Sequence, residues 1–282
     1  MRVSKRCCLQ IGLLVFASTA LAIDVQAAGF SQANVKGSYS FLVNKWIADV
    51  SLQQFAEVGV LTFDGAGHVT GSATAVGDGA SQTGALGGTY TVNSNGTGVV
   101  NLTTIFLGGT DRVAFVLNST AGGVAHGVQF MTANDSNNEV VSGTAVLQST
   151  APAAYSAATL SGRFTFQVNA WSADMNFDEQ GCIGLLTSDG KGNITGSTTC
   201  VDLGVLSKGT FTGVYTVNPD GTCSMSLVNS DGSTPVLACA LNTVGAAGAS
   251  DLQLVVTNPG PSGSDNSTNY EVTGTAVKQG AP

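Results

Sequence analysis

The chain has 282 residues, of which 43% are hydrophobic and only 10% are charged, and its formal net charge at pH 7 is −8. A sparsely charged, acidic chain lacks the basic surface that nucleic acids and anionic membranes require, so we expect neither as a partner. The chain contains only two histidines, so we expect no metal site, and no motif predicts a cofactor.

The first 27 residues have the pattern of a secretory signal peptide. A basic start is followed by an apolar run from Leu9 to Ile23. Val25-Gln26-Ala27 then has the small-x-small form of a signal-peptidase site, which predicts cleavage after Ala27. We therefore expect a secreted or periplasmic protein whose mature chain is not inserted in a membrane. A retained anchor is the alternative.

The remainder of the chain consists of two copies of one pattern, separated by 125 positions. The copies share strand openings, the tryptophans and several turns: Val35–Phe41 with Leu160–Phe166, Trp46 with Trp171, Leu61–Gly65 with Leu186–Gly190, and Gly88–Asn93 with Gly213–Asn218. A period this long indicates duplication of a whole domain rather than a solenoid. We predict repeat 1 over 28–148, a linker over 149–154 and repeat 2 over 155–282.

Both repeats show apolar and small polar residues in alternation, which is typical of β-strands, and neither shows helical periodicity. In repeat 1 the predicted strands lie near 36–44, 54–63, 68–77, 85–93, 97–106, 111–118, 124–134 and 138–148. In repeat 2 they lie near 161–169, 179–188, 193–202, 210–218, 222–229, 235–242, 249–257 and 270–279. The turn signals between them predict hairpins, so each repeat is a meander.

A meander of eight strands either closes into a barrel or stacks as a sandwich, and closure into a barrel removes the exposed strand edges. One parity carries most of the large apolar residues, including Tyr39, Phe41, Tyr90, Val100 and Phe130, which predicts a continuous inner face. The predicted fold is all-β: two tandem eight-stranded antiparallel up-and-down (meander) barrels from an internal duplication. The alternatives are a pair of β-sandwiches and one sixteen-stranded outer-membrane barrel, for which 7% aromatic residues is few.

Four cysteines follow the predicted signal peptide, all in repeat 2. The hairpin turn that begins at Asp189 places Cys182 opposite Cys200, and the register of a later hairpin places Cys223 opposite Cys239. Opposed cysteines on paired strands are close enough to bridge in an oxidising compartment, so we predict the disulfides Cys182–Cys200 and Cys223–Cys239. A four-cysteine zinc site is the alternative, although these spacings form two separate pairs.

The two tryptophans lie in similar stretches directly after the first predicted strand of each repeat. Trp46 is followed by Asp49, and Trp171 by Asp174. Ligand pockets combine apolar walls with a few polar groups, so a tryptophan and an aspartate at a barrel mouth fit a ligand contact. We predict these four residues as ligand-binding residues. The alternative is a tryptophan plug that closes the barrel, with the aspartates capping loop amides.

Glu57 and His126 both lie on the inward parity of their predicted strands, so we include them among the ligand-binding residues. A carboxylate and an imidazole facing one cavity would also permit acid–base chemistry, but nothing in the sequence brings them together. No catalytic residue is predicted, since Gly-x-Ser-x-Gly is absent. The Asp-Gly turns supply too few oxygens for calcium.

The eight-stranded meander, the long first loop, and the paired Gly-x-Tyr and Asp-Gly hairpins resemble the calycin-like and allene-oxide-cyclase-like barrels. The pattern Gly-Thr-Tyr-Thr-Val-Asn-x-x-Gly-Thr at 88–97 is similar to that of uncharacterised secreted bacterial repeat proteins. The resemblance covers both repeats, but Gly37-Ser38-Tyr39 and Gly162-Arg163-Phe164 replace the Gly-x-Trp opening of many lipocalins. It implies a fold that often holds a small apolar molecule, and it carries over no functional residue.

The sequence therefore predicts a secreted, non-catalytic barrel protein that binds a small apolar or amphipathic molecule. An extracellular structural or surface protein with solid barrels is one alternative, which self-association would favour. A cyclase- or isomerase-like enzyme is the other, and it would require Glu57 and His126 to converge in one open cavity. The oligomeric state is left open.

Overall fold

The computed structural model describes residues 29–48, 52–77, 80–103, 105, 109–133, 139–148, 154–172, 179–243, 248–258 and 270–280. The predicted signal peptide and most of the predicted linker lie outside the described residues. The strands of repeat 1 are β1 (Lys36–Ala48), β2 (Leu52–Asp64), β3 (His68–Gly77), β4 (Ala80–Val92), β5 (Thr97–Thr103), β6 (Thr110–Ala121), β7 (Val124–Thr132) and β8 (Glu139–Leu147). Those of repeat 2 are β9 (Ser161–Ser172), β10 (Glu179–Asp189), β11 (Asn193–Asp202), β12 (Val205–Val217), β13 (Thr222–Asn229), β14 (Val236–Thr243), β15 (Ala249–Asn258) and β16 (Tyr270–Lys278).

Each repeat closes on itself as an antiparallel barrel. Strand β1 pairs with both β2 and β8, which closes barrel 1, and β9 pairs with both β10 and β16, which closes barrel 2. All other pairs join strands that follow one another in the chain. The predicted fold class is confirmed: two meander barrels in tandem, rather than two sandwiches or one sixteen-stranded barrel.

Short 3-10 helices at Gln32–Asn34 and Ala157–Thr159 precede the two barrels. Within the described ranges, neither helix has the length or the hydropathy needed to span a lipid bilayer.

The first of these helices closes one end of barrel 1. The hydroxyl of Tyr90 donates to the carbonyl oxygen of Val35, 2.9 Å away, and so fixes the helix against the barrel. The rings of Tyr39 and Tyr90 both meet Phe63 edge-on, with centroids 5.5 and 5.0 Å apart. Tyr215 makes the matching hydrogen bonds to the second helix in barrel 2. We call this the closed end of each barrel.

Barrel 2 has a packed interior that includes one of its two disulfides. Its largest inward side chains are Phe164, Leu186, Ile194, Phe211, Tyr215 and Met225. The structure joins Cys182 to Cys200 and Cys223 to Cys239, as the hairpin register predicts. The zinc alternative is thereby excluded, because all four thiols are consumed in disulfides.

Replacing both Cys182 and Cys200 with alanine is expected to lower the free energy of unfolding by about 2–3 kcal/mol. The disulfide closes a loop with a sequence separation of 18 residues, so its removal restores conformational entropy to the unfolded chain. Alanine fits the site, since Ala75 occupies the position of Cys200 in repeat 1. Urea denaturation of the variant and the parent, each with and without reductant, measures the loss. An unchanged midpoint would contradict it.

The two barrels contact each other through outward-facing apolar residues. On barrel 1 these come mainly from β2 and β3, and on barrel 2 from β14 and β15: Leu42, Ala56, Val58, Val60 and Val76 meet Ala238, Ala240 and Val255. Ala240 and Val255 have no exposed surface at all. We call this surface the inter-barrel contact.

Hydrogen bonds also join the two barrels beside these apolar residues. The hydroxyl of Ser72 donates to Oδ2 of Asp220 at 2.7 Å, and Nε2 of Gln148 donates to the carbonyl oxygen of Leu241 at 2.8 Å. Other hydrogen bonds between the barrels join Ser40 to Asn242, Gln253 to Thr144, and Gln148 to the carbonyl oxygen of Asp220. The strand β2 is therefore buried on both faces, inward against its own barrel and outward against the other.

Candidate ligand-binding site

Barrel 1 contains a cavity of about 80 Å³, towards the end away from the closed end. Its wall is largely apolar and comes from all eight strands of barrel 1, with Phe41, Val43, Leu86, Val113, Phe130 and Val141 among the inward residues. Three ionisable side chains, Lys45, Glu57 and Asp111, also line it. The cavity therefore combines an apolar wall with a small polar group, which is the usual composition of a small-molecule site.

Glu57 lies on β2, where the register sets it between Val43 of β1 and Ala75 of β3. Its Oε1 is shut off from solvent and has no hydrogen-bond partner. Burial raises the pKa of Glu57 to about 7, with a smaller contribution from the charge of Asp111, while Lys45 acts in the opposite direction. A carboxyl group with this pKa exchanges its proton near neutral pH, so it can donate or accept a hydrogen bond inside the cavity.

Lys45 holds the other charged groups near the cavity together. Its Nζ lies 3.0 Å from Oδ2 of Asp111 and 3.0 Å from Oε2 of Glu139. The side chains of Lys45 and Glu139 are each only 12% exposed, so the ion pairs are poorly screened by water. They connect β1, β6 and β8 across the barrel. Lys45 thus balances two carboxylates, and Glu57 is left without a cation of its own.

The polar residues belong to repeat 1 alone. The register equates Glu57 with Cys182, Lys45 with Ala170, and Glu139 with Tyr270 of repeat 2. In barrel 2 the position of Glu57 is therefore occupied by half of a disulfide. Both copies form the barrel, but only barrel 1 carries this group of charged residues.

The structure does not bring His126 to Glu57. His126 lies near the start of β7, beside the hairpin at 122–123, and its side chain is exposed. The neighbouring carbonyl oxygen of Ala125 accepts a hydrogen bond from Tyr39 at the closed end. Glu57 lines the cavity at the other end, so the inward position expected for His126 is not found.

Trp46 lies within β1 rather than in a loop, since β1 continues to Ala48. It pairs with Gln54 and Val140, is partly buried, and is not among the residues that line the cavity. Trp171 occupies the matching position in β9, opposite Glu179. Asp49 and Asp174 lie outside the described residues. Contact between these four residues and a ligand stays a prediction.

The sequence placed Glu57 at an inward position, where it lines the cavity, but did not point to Lys45, Asp111 and Glu139. The sequence did carry a signal for these residues, because they lie on the inward parity of their strands: Lys45, for example, continues the inward series of Phe41 and Val43. A charged residue at an inward position is notable in a chain with few charges. Over the described ranges, no group of three or more histidine, cysteine, aspartate or glutamate side chains could hold a metal ion. The site as described offers hydrogen bonding and proton exchange at Glu57.

Comparison with known proteins finds no matching family model and no matching curated protein. Among solved structures, the chain is similar to a DUF3598-family protein of unknown function from Nostoc punctiforme, with 13% identity and a TM-score of 0.26 over 88% of this chain and 97% of that one. It is also similar to kievitone hydratase from Nectria haematococca, with 9% identity and a TM-score of 0.30 over 90% and 94%. An AttH-like protein from Nitrosomonas europaea has 10% identity and a TM-score of 0.26 over 94% and 98%. At such TM-scores these likenesses carry no argument about function.

Proposed function

We propose that this protein binds a small amphipathic molecule inside barrel 1, with one polar group of the ligand hydrogen-bonded to Glu57. The observation that carries the proposal is the buried Oε1 of Glu57, which faces a cavity and has no partner. A buried polar atom without a hydrogen bond costs about 1–3 kcal/mol. A ligand that supplies the missing hydrogen bond would recover that free energy on binding.

The chemistry of the site favours a neutral ligand with a hydrogen-bond acceptor, such as a carbonyl or hydroxyl oxygen. Below pH 7 the protonated Glu57 donates a hydrogen bond and carries no charge. A cationic ligand would compete with Lys45, which is already bound between Asp111 and Glu139. The apolar part of the ligand would then lie against aromatic residues such as Phe41 and Phe130.

The size of the cavity limits what it can enclose. At about 80 Å³ it is smaller than the cavity of about 150 Å³ that holds benzene in an engineered protein. It therefore seats the polar end of a ligand and a short apolar segment. The calycin-like resemblance supports the same type of ligand, and secretion through the predicted signal peptide would let the protein carry it outside the cytoplasm.

Native mass spectrometry of protein purified from its own host tests the proposal. We expect a mass excess that disappears on denaturation, and we expect Glu57→Leu to retain the molecule about ten-fold more weakly or worse, since it removes the buried hydrogen bond. His126→Leu is the matched control, because His126 is exposed at the other end of the barrel. A bare mass, or equal retention by Glu57→Leu and the parent, would rule the proposal out.

A bare mass would instead favour a structural role with solid barrels. The packed interior of barrel 2 and its disulfides support that alternative. The enzymatic alternative has less support, because acid–base catalysis needs a second group beside Glu57. Lys45 is engaged in two ion pairs, and His126 is at the closed end.

A further inference from the structure

The inter-barrel contact joins two different faces of the repeated unit. Barrel 1 contributes outward residues of its second and third strands, and barrel 2 contributes outward residues of its sixth and seventh. Because the barrels are copies of each other, each also carries the face that the other uses. Barrel 2 therefore has a free β10–β11 face, and barrel 1 has a free β6–β7 face.

The free face of barrel 2 repeats the apolar residues of the contact. Strand register equates Val58 with Ile183, Val60 with Leu185, and Val76 with Val201. Val58, Val60 and Val76 are at most 3% exposed, whereas Ile183 is 59% and Val201 is 42% exposed. Ile183 and Leu185 line an open groove together with Thr165, Ser197, Thr275 and Val277.

The free face of barrel 1 repeats the other half of the contact. The pair Ala238–Val255 corresponds to Ala114–Met131, and Ala240 corresponds to Val116. Met131 is 63% and Val116 is 40% exposed, although their counterparts Val255 and Ala240 are fully buried. Large apolar side chains that recur at the positions of a buried contact indicate an interaction surface.

The hydrogen bonds across the inter-barrel contact have counterparts on the free faces as well. Gln148 corresponds to Gln279, since each follows the last strand of its barrel and bonds back through its backbone amide, to Ser38 and Arg163 respectively. The other hydrogen-bonding residues that barrel 1 contributes to the contact are Ser40, Ser72 and Thr144, and they correspond to Thr165, Ser197 and Thr275 on barrel 2. Those that barrel 2 contributes are Asp220, Leu241 (through its carbonyl oxygen), Asn242 and Gln253, and they correspond to Asn95, Leu117, Asn118 and Gln129 on barrel 1.

We propose that a second copy of this chain docks head to tail, with the free face of barrel 2 packed against the free face of barrel 1 in the next copy. The new interface would repeat the inter-barrel contact. In a closed ring of eight strands, the second and third strands lie opposite the sixth and seventh. The free face of each barrel is therefore opposite the face that it uses in the inter-barrel contact, and the two free faces of the chain point away from each other. A heterologous interface of this kind extends into a row of barrels rather than closing as a two-fold dimer.

The substitutions between the two interfaces predict that the intermolecular one is weaker. Gln167 replaces Leu42, and Gly181 replaces Ala56, which removes apolar area from the free face of barrel 2. The chain also has a net charge of −8, so copies repel one another at low ionic strength. Asn95 occupies, on the free face of barrel 1, the position that Asp220 has in barrel 2, so the intermolecular interface carries one negative charge fewer than the inter-barrel contact. The assembly is therefore reversible and is strengthened by salt.

Sedimentation velocity of the full secreted chain, over a wide range of protein and salt concentrations, tests the proposal. We expect the mean mass to rise with protein concentration without a plateau at the dimer, and to rise further with salt. Ile183→Asp on one free face, or Met131→Asp on the other, should weaken association more than about ten-fold, because each buries an unpaired charge. Val214→Asp is the matched control: Val214 is 56% exposed, and its counterpart Thr89 lies outside the inter-barrel contact.

Mixing the two variants gives the decisive result. Ile183→Asp retains an intact barrel 1 face, and Met131→Asp retains an intact barrel 2 face. Each alone should be monomeric, and an equimolar mixture should form a one-to-one dimer and nothing larger. A monomeric parent chain under all conditions, continued association of either variant alone, or a mixture that stays monomeric would each overturn the proposal.

Discussion

Replacing Val58 with aspartate is expected to lower the free energy of unfolding by more than about 3 kcal/mol. Val58 is 2% exposed and packs in the inter-barrel contact beside Ala240 and Val255. A carboxylate at residue 58 would therefore be buried among apolar side chains. Urea denaturation measures the loss, and limited proteolysis between 149 and 154 reports whether the barrels have separated.

Ile183→Asp provides the matched control for this prediction. It makes the same chemical change at the corresponding position of barrel 2, where the side chain is 59% exposed. At a protein concentration too low for self-association, it is expected to change the free energy of unfolding by less than about 0.5 kcal/mol. Similar losses in the two variants would contradict the inter-barrel contact, because the side chain is buried at residue 58 and exposed at residue 183.

The barrels and the disulfides were predictable because they depend on local hairpins. Turns such as that at Asp189 set the register of neighbouring strands, and register alone decides that Cys182 faces Cys200. A meander contains only sequential pairs apart from its closure, so local rules extend to nearly the whole fold. The end of β1 was misplaced because Lys45 is a charged residue at an inward position, which is typical of a loop. Its partners Asp111 and Glu139 lie far away in the sequence.

The inter-barrel contact was not predicted, although β2 carried a signal for it. Residues 55–61 are apolar at both parities except for Glu57, a pattern typical of a strand that is buried on both faces. The corresponding stretch of repeat 2, at 180–186, likewise has Ile183 and Leu185 at outward positions. Outward apolar residues that recur in both copies were the sign that a face packs against another barrel.

Raising the pH from about 5 to about 8 is expected to destabilise the ligand-free protein by up to about 3 kcal/mol through Glu57. The pKa of Glu57 is raised from its ordinary value of 4.5 to about 7 in the folded protein. Folding therefore favours the protonated form. The stability that this provides is fully present below pH 4.5 and is lost as the pH rises through 7.

Other carboxyl groups act in a different pH window. Backbone and side-chain hydrogen bonds hold the pKa values of Asp64, Asp189 and Asp231 below their ordinary value of 3.8. The stability that these three carboxylates give the folded protein is present at neutral pH and is lost only as the pH falls towards their lowered pKa values. The change between pH 5 and pH 8 therefore isolates Glu57 from them.

Glu57→Gln provides the comparison, since glutamine has a similar shape and does not titrate. The free energy of unfolding from urea denaturation should fall with rising pH in the parent and stay nearly flat in Glu57→Gln over the same range. Parallel pH profiles would mean that Glu57 is solvated and not buried at the cavity. Under the proposed function, a ligand that accepts a hydrogen bond from protonated Glu57 is expected to bind more tightly below pH 7 than above it. Loss of that pH dependence in Glu57→Gln would tie the stability effect and the binding site to one carboxyl group.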